Sequence, residues 1–600
     1  MNCPSRTEEP EGDGFNQNPS SLSADLTTRE DFNGIANARE LRRIASNEIE
    51  SEVDRVPDED GKRGKRGEKV AVVAKGVKQQ GNFTEGDPGM VALDVADGNA
   101  AGGRGNGDGN GDGNDAPFLM KIFMKIRKGV TTYGKFVGPG FMISVAYIDP
   151  GNYSTDVAAG ATYRFRLLFI VLMSNIFAIF LQSLCIKLGS VSGLNLAEAC
   201  RAFLPRWMNY FLYVMAEGAI IATDIAEVIG TAIAINLLVP QIPLVAGCAL
   251  SIVDVLLILL FYKPNGSMKG LRAFEMFVMA LVLGVVICFC IQLSLIKDTP
   301  VGDVFRGYLP NSAIVESKGL YQACGILGAT VMPHSLYLGS GIVQARLQEY
   351  DIDNGIVPVS IRSDSVDKIQ YFPSLPAINF CLKYSIIELA VSLFTFALFV
   401  NSAILITAGA SLYGSKAEDA DLFGIYHLLS DSIAPAAGTV FALALLLSGI
   451  SAGIVCTIAG QMVSEGALKW TIAPWMRRLI TRSISITPSI IIAGAVGREG
   501  LSAALNGSQV ALSVVLPFVS APLIYFTCRN KFMTVRTAST SGDPDDEEGD
   551  ATESRSSSPQ PDGVKMRNNW ITATFAVIIW LIITVMNVAN LVLLGKGDGA

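Results

Sequence analysis

Long apolar stretches recur along most of this 600-residue chain, and they restrict its fold more than any other feature. A helix of about 20 apolar residues crosses the roughly 30 Å hydrocarbon core of a bilayer. Within that core the backbone must satisfy its own hydrogen bonds, which favours helices. We therefore predict an all-α polytopic membrane protein with eleven spans, at about 137–160, 166–187, 207–238, 244–262, 271–295, 319–344, 379–411, 434–463, 479–497, 501–527 and 569–594.

The charged residues are few and unevenly placed. Only 17% of the chain is charged and half is hydrophobic, whereas an average soluble protein is about 25% charged. This composition excludes soluble enzymes, nucleic-acid-binding proteins and secreted disulfide-rich proteins. The charges cluster in two polar segments, which gives four predicted regions: a disordered cytoplasmic N-terminal tail (1–120), a ten-helix membrane core (130–527, with halves 130–298 and 319–527), a disordered cytoplasmic loop (529–567) and an eleventh helix (569–594).

Basic residues are concentrated on one side of the predicted spans, which indicates the orientation of the chain. Cytoplasmic segments of membrane proteins carry an excess of Lys and Arg. We therefore expect a cytoplasmic N-terminus and, after eleven crossings, a C-terminus on the opposite side. The partners expected of such a chain are the lipid bilayer and regulatory proteins that bind the cytoplasmic tails.

Two of the predicted spans are interrupted in mid-membrane. The first contains Asp149-Pro150-Gly151-Asn152, and the sixth contains the stretch 328–334, which includes Met332-Pro333-His334. Proline removes a backbone donor, so neighbouring carbonyls must find other partners. Breaks in the first and sixth spans are expected if spans 1–5 and 6–10 form two inverted halves. Paired interruptions of this kind indicate the midplane substrate site of a transporter.

The groups at the two breaks suit a soft divalent cation. Asp149 offers a carboxylate, Asn152 an amide oxygen, Ala329 a carbonyl and Met332 a thioether. An acid in the hydrocarbon region is costly and by default functional. Ca²⁺ and Mg²⁺ prefer oxygen ligands, whereas first-row transition ions tolerate sulfur. We therefore expect Mn²⁺ or Fe²⁺, and a histidine-rich site is excluded because the chain has only two histidines.

The third predicted span carries three acids. Glu217, Asp224 and Glu227 are separated by seven and three residues, which places them on one side of a helix. Three acids on one apolar membrane helix are costly and indicate a functional role. A structural alternative is that they pair with Arg482 and hold the third and ninth spans together, and the two roles are compatible.

Three motifs resemble one family. The motifs resemble those of the Nramp divalent metal transporters and lie at residues 149–152, 332–334 and 459–466. The sequence around them is most similar to the fungal Smf-type manganese and iron transporters. The resemblance covers about 130–527. It implies a LeuT-like 5+5 inverted repeat plus an eleventh helix, and proton-coupled import of Mn²⁺ or Fe²⁺ into the cytoplasm by alternating access. It implies neither an enzyme nor a bound cofactor.

The resemblance also assigns roles to residues. It implies a metal site formed by Asp149, Asn152, Ala329 and Met332, which Gln509 can join. It implies a proton pathway through His334, Glu217, Asp224, Glu227 and Arg482.

Two other functions share this membrane architecture. A Na⁺-coupled amino-acid carrier would use small residues and free helix N-termini to bind a substrate carboxylate, instead of an Asp facing a Met. A signalling receptor with an Nramp-like membrane domain would have lost the ligands or gained a folded soluble domain. The membrane in which the protein works, plasma, endosomal or vacuolar, is left open.

Overall fold

The computed structural model describes residues 139–253, 268–296, 299–357, 371–414, 421–432, 434–468, 474–535 and 563–596. The N-terminal tail predicted over 1–120 lies outside these residues, as does the middle of the polar loop predicted over 529–567.

The described part of the chain is helical apart from one short β-ladder. The helices are α1 Pro139–Val145, α2 Pro150–Tyr163, α3 Leu168–Ser192, α4 Leu196–Phe203, α5 Arg206–Leu238, α6 Leu244–Leu250, α7 Met268–Leu295, α8 Val301–Gly307, α9 Ser317–Thr330, α10 Pro333–Asp353, α11 Leu375–Ser411, α12 Leu422–Ser432, α13 Pro435–Leu468, α14 Pro474–Ala495, α15 Arg498–Thr527 and α16 Trp570–Lys596. Strands β1 (Thr534–Val535) and β2 (Val564–Lys565) pair antiparallel and hold the two ends of the polar loop together.

Eight of the described helical stretches are long and apolar enough to cross a membrane. They are α3, α5, α7, the pair α9–α10, α11, α13, α15 and α16. The first predicted span corresponds to the shorter pair α1–α2, and the ninth to α14, whose apolar part is Leu479–Ala495. The fourth predicted span begins at α6, and its second half lies outside the described residues.

The first break lies slightly earlier in the chain than the sequence suggested, and the second is shorter but lies within the predicted stretch 328–334. The first span is interrupted at 146–149, and Pro150 is already the first residue of α2. The sixth is interrupted at Val331 and Met332, and Pro333 begins α10. The prediction that Pro150 and Gly151 lie in the unwound segment is therefore wrong. Proline suits the first position of a helix because that position needs no donor and its φ is already helical.

The sixth span extends further than predicted at its C-terminal end. We expected it to end near residue 344 and a polar insert to occupy 346–378, whereas α10 continues to Asp353. At that end the buried Asp351 carboxylate accepts hydrogen bonds from Tyr371 and from the backbone N–H of Ser374 at 2.9 Å. These bonds tie the end of α10 to the start of α11.

Aromatic packing fixes α2, the C-terminal half of the first span, against the bundle. Tyr153 of α2 is fully buried, with ring centroids 5.5 Å from Phe289 of α7 and 5.9 Å from Phe441 of α13. Aromatic pairs at these separations stabilise packing beyond their buried area. The first break is thereby anchored at the centre of the bundle, while α16 packs on its periphery.

Candidate metal site

The Asp149 carboxylate caps the helix that follows the first break. Its oxygens accept hydrogen bonds from the backbone N–H of Asn152 at 2.9 Å and of Gly151 at 3.2 Å. Aspartate is favoured at this position because its side chain satisfies N–H groups that have no partner within the helix. The same contacts hold a fully buried carboxylate at the positive end of α2.

The amide of Asn152 joins the two breaks. Its nitrogen lies 2.6 Å from an Asp149 carboxylate oxygen, 3.2 Å from the carbonyl of Tyr147 and 3.0 Å from the carbonyl of Ala329. An amide nitrogen has only two hydrogens to donate, so three oxygens converge on a group that can satisfy two of them. These oxygens come from both interrupted spans and carry one formal negative charge. Such an arrangement is suited to a cation.

The oxygen of the same amide is held by two further side chains. The Thr330 hydroxyl donates to it at 3.4 Å and the Asn401 amide at 3.3 Å, and Asn401 also donates to the Tyr147 carbonyl at 3.2 Å. Sequence reasoning missed Thr330 and Asn401. The available signal for Asn401 is an amide in the middle of an apolar span, where a polar residue needs a partner.

Gln509 of α15 lies against both interrupted spans. Its side chain fills the space beside Gly151 and its carbonyl approaches Gly328, so that a β-carbon at either glycine would clash with it. Its amide oxygen is buried and has no hydrogen-bond partner among the described residues. A buried acceptor without a partner requires an explanation, and a bound ion would provide one. The expectation that Gln509 can join a metal site stays a prediction.

Met332 lies at the second break and is 1% exposed. Its side chain packs with Ala219 of α5 and Leu512 of α15. Leu512 is three residues from Gln509, so the two residues share a face of α15. The thioether therefore lies where the third, sixth and tenth spans meet.

After the second break, polar contacts continue along α10, the C-terminal half of the sixth span. The buried His334 ring lies 3.4 Å, Nδ1 to Oγ1, from Thr223 of α5. Gln182 of α3 donates to the hydroxyls of Tyr147 and Ser335, both at 2.9 Å. Gln182 and Ser335 were not predicted, because their significance arises only when three separate helices meet.

The acids of the third span are ion-paired. Arg482 of α14, only 3% exposed, lies 3.0 Å from an Asp224 oxygen and 3.2 Å from a Glu227 oxygen. Glu217, two turns earlier, is partly buried. The ion pairs of the structural alternative, in which Arg482 holds the third and ninth spans together, are therefore formed. These pairs are compatible with a role of the same acids in a proton relay.

The same cluster contains the thiol of Cys456. One ligand atom each from Asp224, Glu227 and Cys456 lie within 4.8 Å of one another, a spacing compatible with a metal ion. The Arg482 guanidinium already neutralises the two carboxylates. A cation would have to displace it, so we favour the two breaks as the metal site.

Comparison with known sequences now identifies the chain's relatives. The sequence profile described as Nramp, natural resistance-associated macrophage protein-like, matches residues 140–541. The chain belongs to the Nramp family. The match begins at α1 and runs past α15, so it includes both breaks, Gln509 and the acids of the third span.

Curated Nramp relatives are similar over most of their length. The manganese transporter SMF1 of Saccharomyces cerevisiae is 53% identical, with 78% of this chain and 86% of the relative covered. The iron transporter SMF3 of the same organism is also 53% identical, over 69% and 85%. The divalent metal cation transporter MntH of Xanthomonas campestris is 42% identical, over 66% and 83%.

A solved Nramp structure agrees with the fold. The manganese transporter of Eremococcus coleocola, crystallised with an aromatic bis-isothiourea compound, superposes with a TM-score of 0.62 at 29% identity. The alignment covers 77% of this chain and 86% of that one. The predicted fold class, an all-α polytopic membrane protein of the LeuT-like type, is confirmed. The chain is an integral membrane protein of the Nramp family.

Proposed function

We propose that this Nramp protein imports Mn²⁺ or Fe²⁺ into the cytoplasm together with protons, by alternating access. The observation that carries the proposal is the convergence of the Asp149 carboxylate with the carbonyls of Tyr147 and Ala329 on one buried amide. The proposal is supported by the names of the relatives, which are manganese, iron and divalent metal cation transporters.

The proposed metal ligands are Asp149, Asn152, Ala329, Met332 and Gln509. Rotation of the Asn152 amide would present its oxygen to the ion, and Gln509 already has a free oxygen. The single thioether, from Met332, would favour first-row transition ions over Ca²⁺ and Mg²⁺.

Alternating access would use the breaks as hinges. The inner half, α1, is held by Glu388 of α11, which accepts from the backbone N–H of Gly140 at 3.2 Å and pairs with Arg346 of α10 at 3.2 Å. These contacts close the inner side of the bundle around the first span. Release of α1 would open the metal site to the cytoplasm without moving α2, because the break separates the two halves.

The proposed proton pathway leads from the breaks into the third span. It comprises His334, Glu217, Asp224, Glu227 and Arg482. His334 lies at the break and contacts α5 through Thr223, and Asp224 lies one residue further along α5. Acids paired with Arg482 can still exchange protons when the pair separates during the transport cycle.

We further propose a cytoplasmic N-terminus and function in the plasma membrane or in an endosomal or vacuolar membrane. The excess of basic residues on one side of the spans supports this orientation. The tail 1–120 and the loop 529–567 would then face the cytoplasm, where they are available to regulatory proteins. No resident cofactor is needed for this function, since metal ion and proton are the transported species.

Uptake of radiolabelled Mn²⁺ and Fe²⁺ by the purified protein in liposomes tests this function. We expect faster uptake with an inward proton gradient, together with acidification of the lumen. Asp149→Asn keeps the size of the side chain but removes the charge, and it should lower uptake at least about tenfold. Asp303→Asn, at an exposed acid of α8 that pairs with Arg164, is the matched control and should transport normally. Normal uptake by Asp149→Asn would refute the site, and metal entry without acidification would refute proton coupling.

A further inference from the structure

A second acid in the first span has no role in the proposed site. Asp156 of α2 is 0% exposed, and neither of its carboxylate oxygens has a hydrogen-bond partner among the described residues. Leaving a buried polar group without a partner is costly, and an acid within a membrane span is costlier still. A buried acid whose two oxygens lack partners among the described residues therefore requires an explanation.

Asp156 lies outward of the proposed metal site and in line with it. It follows Asp149 by seven residues, or about 10 Å along the helix axis at 1.5 Å per residue. It follows Asn152 by four residues, so the two side chains share a face of α2. One turn further on, a β-carbon at Gly160 would lie 2.6 Å from the Leu405 carbonyl of α11, which shows that this face packs closely against α11.

The segment between the fifth and sixth spans packs beside this face of α2 through a tyrosine. Tyr308 follows α8, is partly exposed, and packs on a buried cluster that contains Ala159 of α2 and Leu405 of α11. The Ser402 hydroxyl of α11 is buried and has no hydrogen-bond partner among the described residues. Ser402 follows Asn401, whose amide contacts Asn152 one turn before Asp156, so both hydroxyl-bearing residues lie on the side of α2 that carries the buried carboxylate.

We propose that Asp156, with the hydroxyls of Ser402 and Tyr308, forms an outer subsite that holds the divalent cargo, still partly hydrated, before it moves inward to Asp149. This inference rests on the proposed transport function. All three groups are oxygen ligands, which suit hard cations. The outer subsite therefore concentrates divalent cations without distinguishing Mn²⁺ from Ca²⁺, and discrimination is left to the inner site with its sulfur.

The test is the concentration dependence of Mn²⁺ uptake in liposomes for Asp156→Asn, which preserves the size of the side chain. We expect KM to rise at least about fivefold, equivalent to about 1 kcal/mol of cation binding, while the maximal rate stays within about twofold. Inhibition by Ca²⁺ should weaken in parallel, because Ca²⁺ competes at the outer subsite. Asp303→Asn, which removes a surface charge on the same side, should leave KM unchanged.

Ser402→Ala provides a second variant that retains the carboxylate, and we expect KM to rise about twofold. If Asp156→Asn does not fold, the KM of Ser402→Ala tests the outer subsite instead. An unchanged KM in a folded Asp156→Asn protein, or a lower maximal rate at unchanged KM, would overturn the outer subsite. Failure of the proposed transport function would give a different result, because the unmodified protein would then not take up Mn²⁺ at all.

Discussion

Among single residues, Asn152 makes the contacts on which the proposed metal site depends. One amide contacts the carboxylate that precedes it, a carbonyl of the other break and two further polar side chains. Three separate parts of the sequence supply these contacts, and they tie the two interrupted spans together at one point. If a cation binds there as proposed, its binding would be coupled directly to the positions of both spans.

Met332 is expected to set the selectivity of transport rather than its capacity. Met332→Ala removes the soft ligand but leaves the oxygen ligands, so Mn²⁺ uptake should persist, reduced by less than about tenfold. Inhibition of Mn²⁺ uptake by Ca²⁺ should become several-fold stronger. Met276→Ala, at an exposed methionine of α7, is the matched control. Unchanged Ca²⁺ competition in Met332→Ala would contradict a role for sulfur in selection.

At this scale the sequence reveals only part of the candidate site. Asp149, Met332 and the acids of the third span are visible because each is unusual within an apolar segment. Asn401, Thr330 and Gln182 are ordinary polar residues until folding brings them to the breaks. Their contacts span up to 254 positions along the chain, and no local pattern encodes such a distance.

At the scale of helices, close approach of α15 to the second break is what places Gln509. Gly328→Ala would add a β-carbon against the Gln509 carbonyl and 2.7 Å from the Ser513 nitrogen. Backbone atoms cannot move aside cheaply, and overpacking of this kind costs about 1–3 kcal/mol. We expect uptake to fall at least about fivefold, since about 1.4 kcal/mol corresponds to a factor of ten.

The control for this substitution lies on α15 itself. Gly507→Ala places a β-carbon in open space, so uptake should be unchanged. If Gly328→Ala transported as well as Gly507→Ala in the liposome assay, the close contact between α15 and the second break would be unnecessary for function.

Arg482 is expected to be the main electrostatic tie between α5 and α14. Arg482→Met would leave Asp224 and Glu227 without their cation in a buried setting, which costs about 3–5 kcal/mol. Thermal unfolding in detergent should show a large drop in midpoint. Arg498→Met breaks a pair with Asp421 that is partly exposed, and such pairs contribute about 0–1 kcal/mol. Equal drops for the two variants would contradict the structural role of Arg482.

The helices also show which features of the fold the sequence does not predict. Apolar stretches predict the spans because burial in hydrocarbon requires them, and their bounds agree with the structure to within a few residues at most ends. The first break is offset because a proline marks the start of a helix as readily as its interruption. The sixth span was predicted too short because its C-terminal end, α10, is stabilised by contacts of Asp351 with distant residues, which composition does not reveal.

At the scale of the whole molecule, the fold follows from two properties of the sequence. The number of apolar segments gives the spans, and the matching positions of the two breaks give the division into halves. What these properties do not give is the set of contacts at the centre, where five different helices supply the polar groups. The candidate site depends on contacts that form only in the folded protein, so it could be predicted only in part from the sequence.

The most direct test of the central claim is the position of the metal. Crystals of the protein grown with Mn²⁺ and measured near the manganese absorption edge would locate the ion by its anomalous scattering. The account predicts a peak between the two breaks, in contact with Asp149 and the Ala329 carbonyl. A peak instead at the cluster of Asp224, Glu227 and Cys456, with none at the breaks, would contradict it.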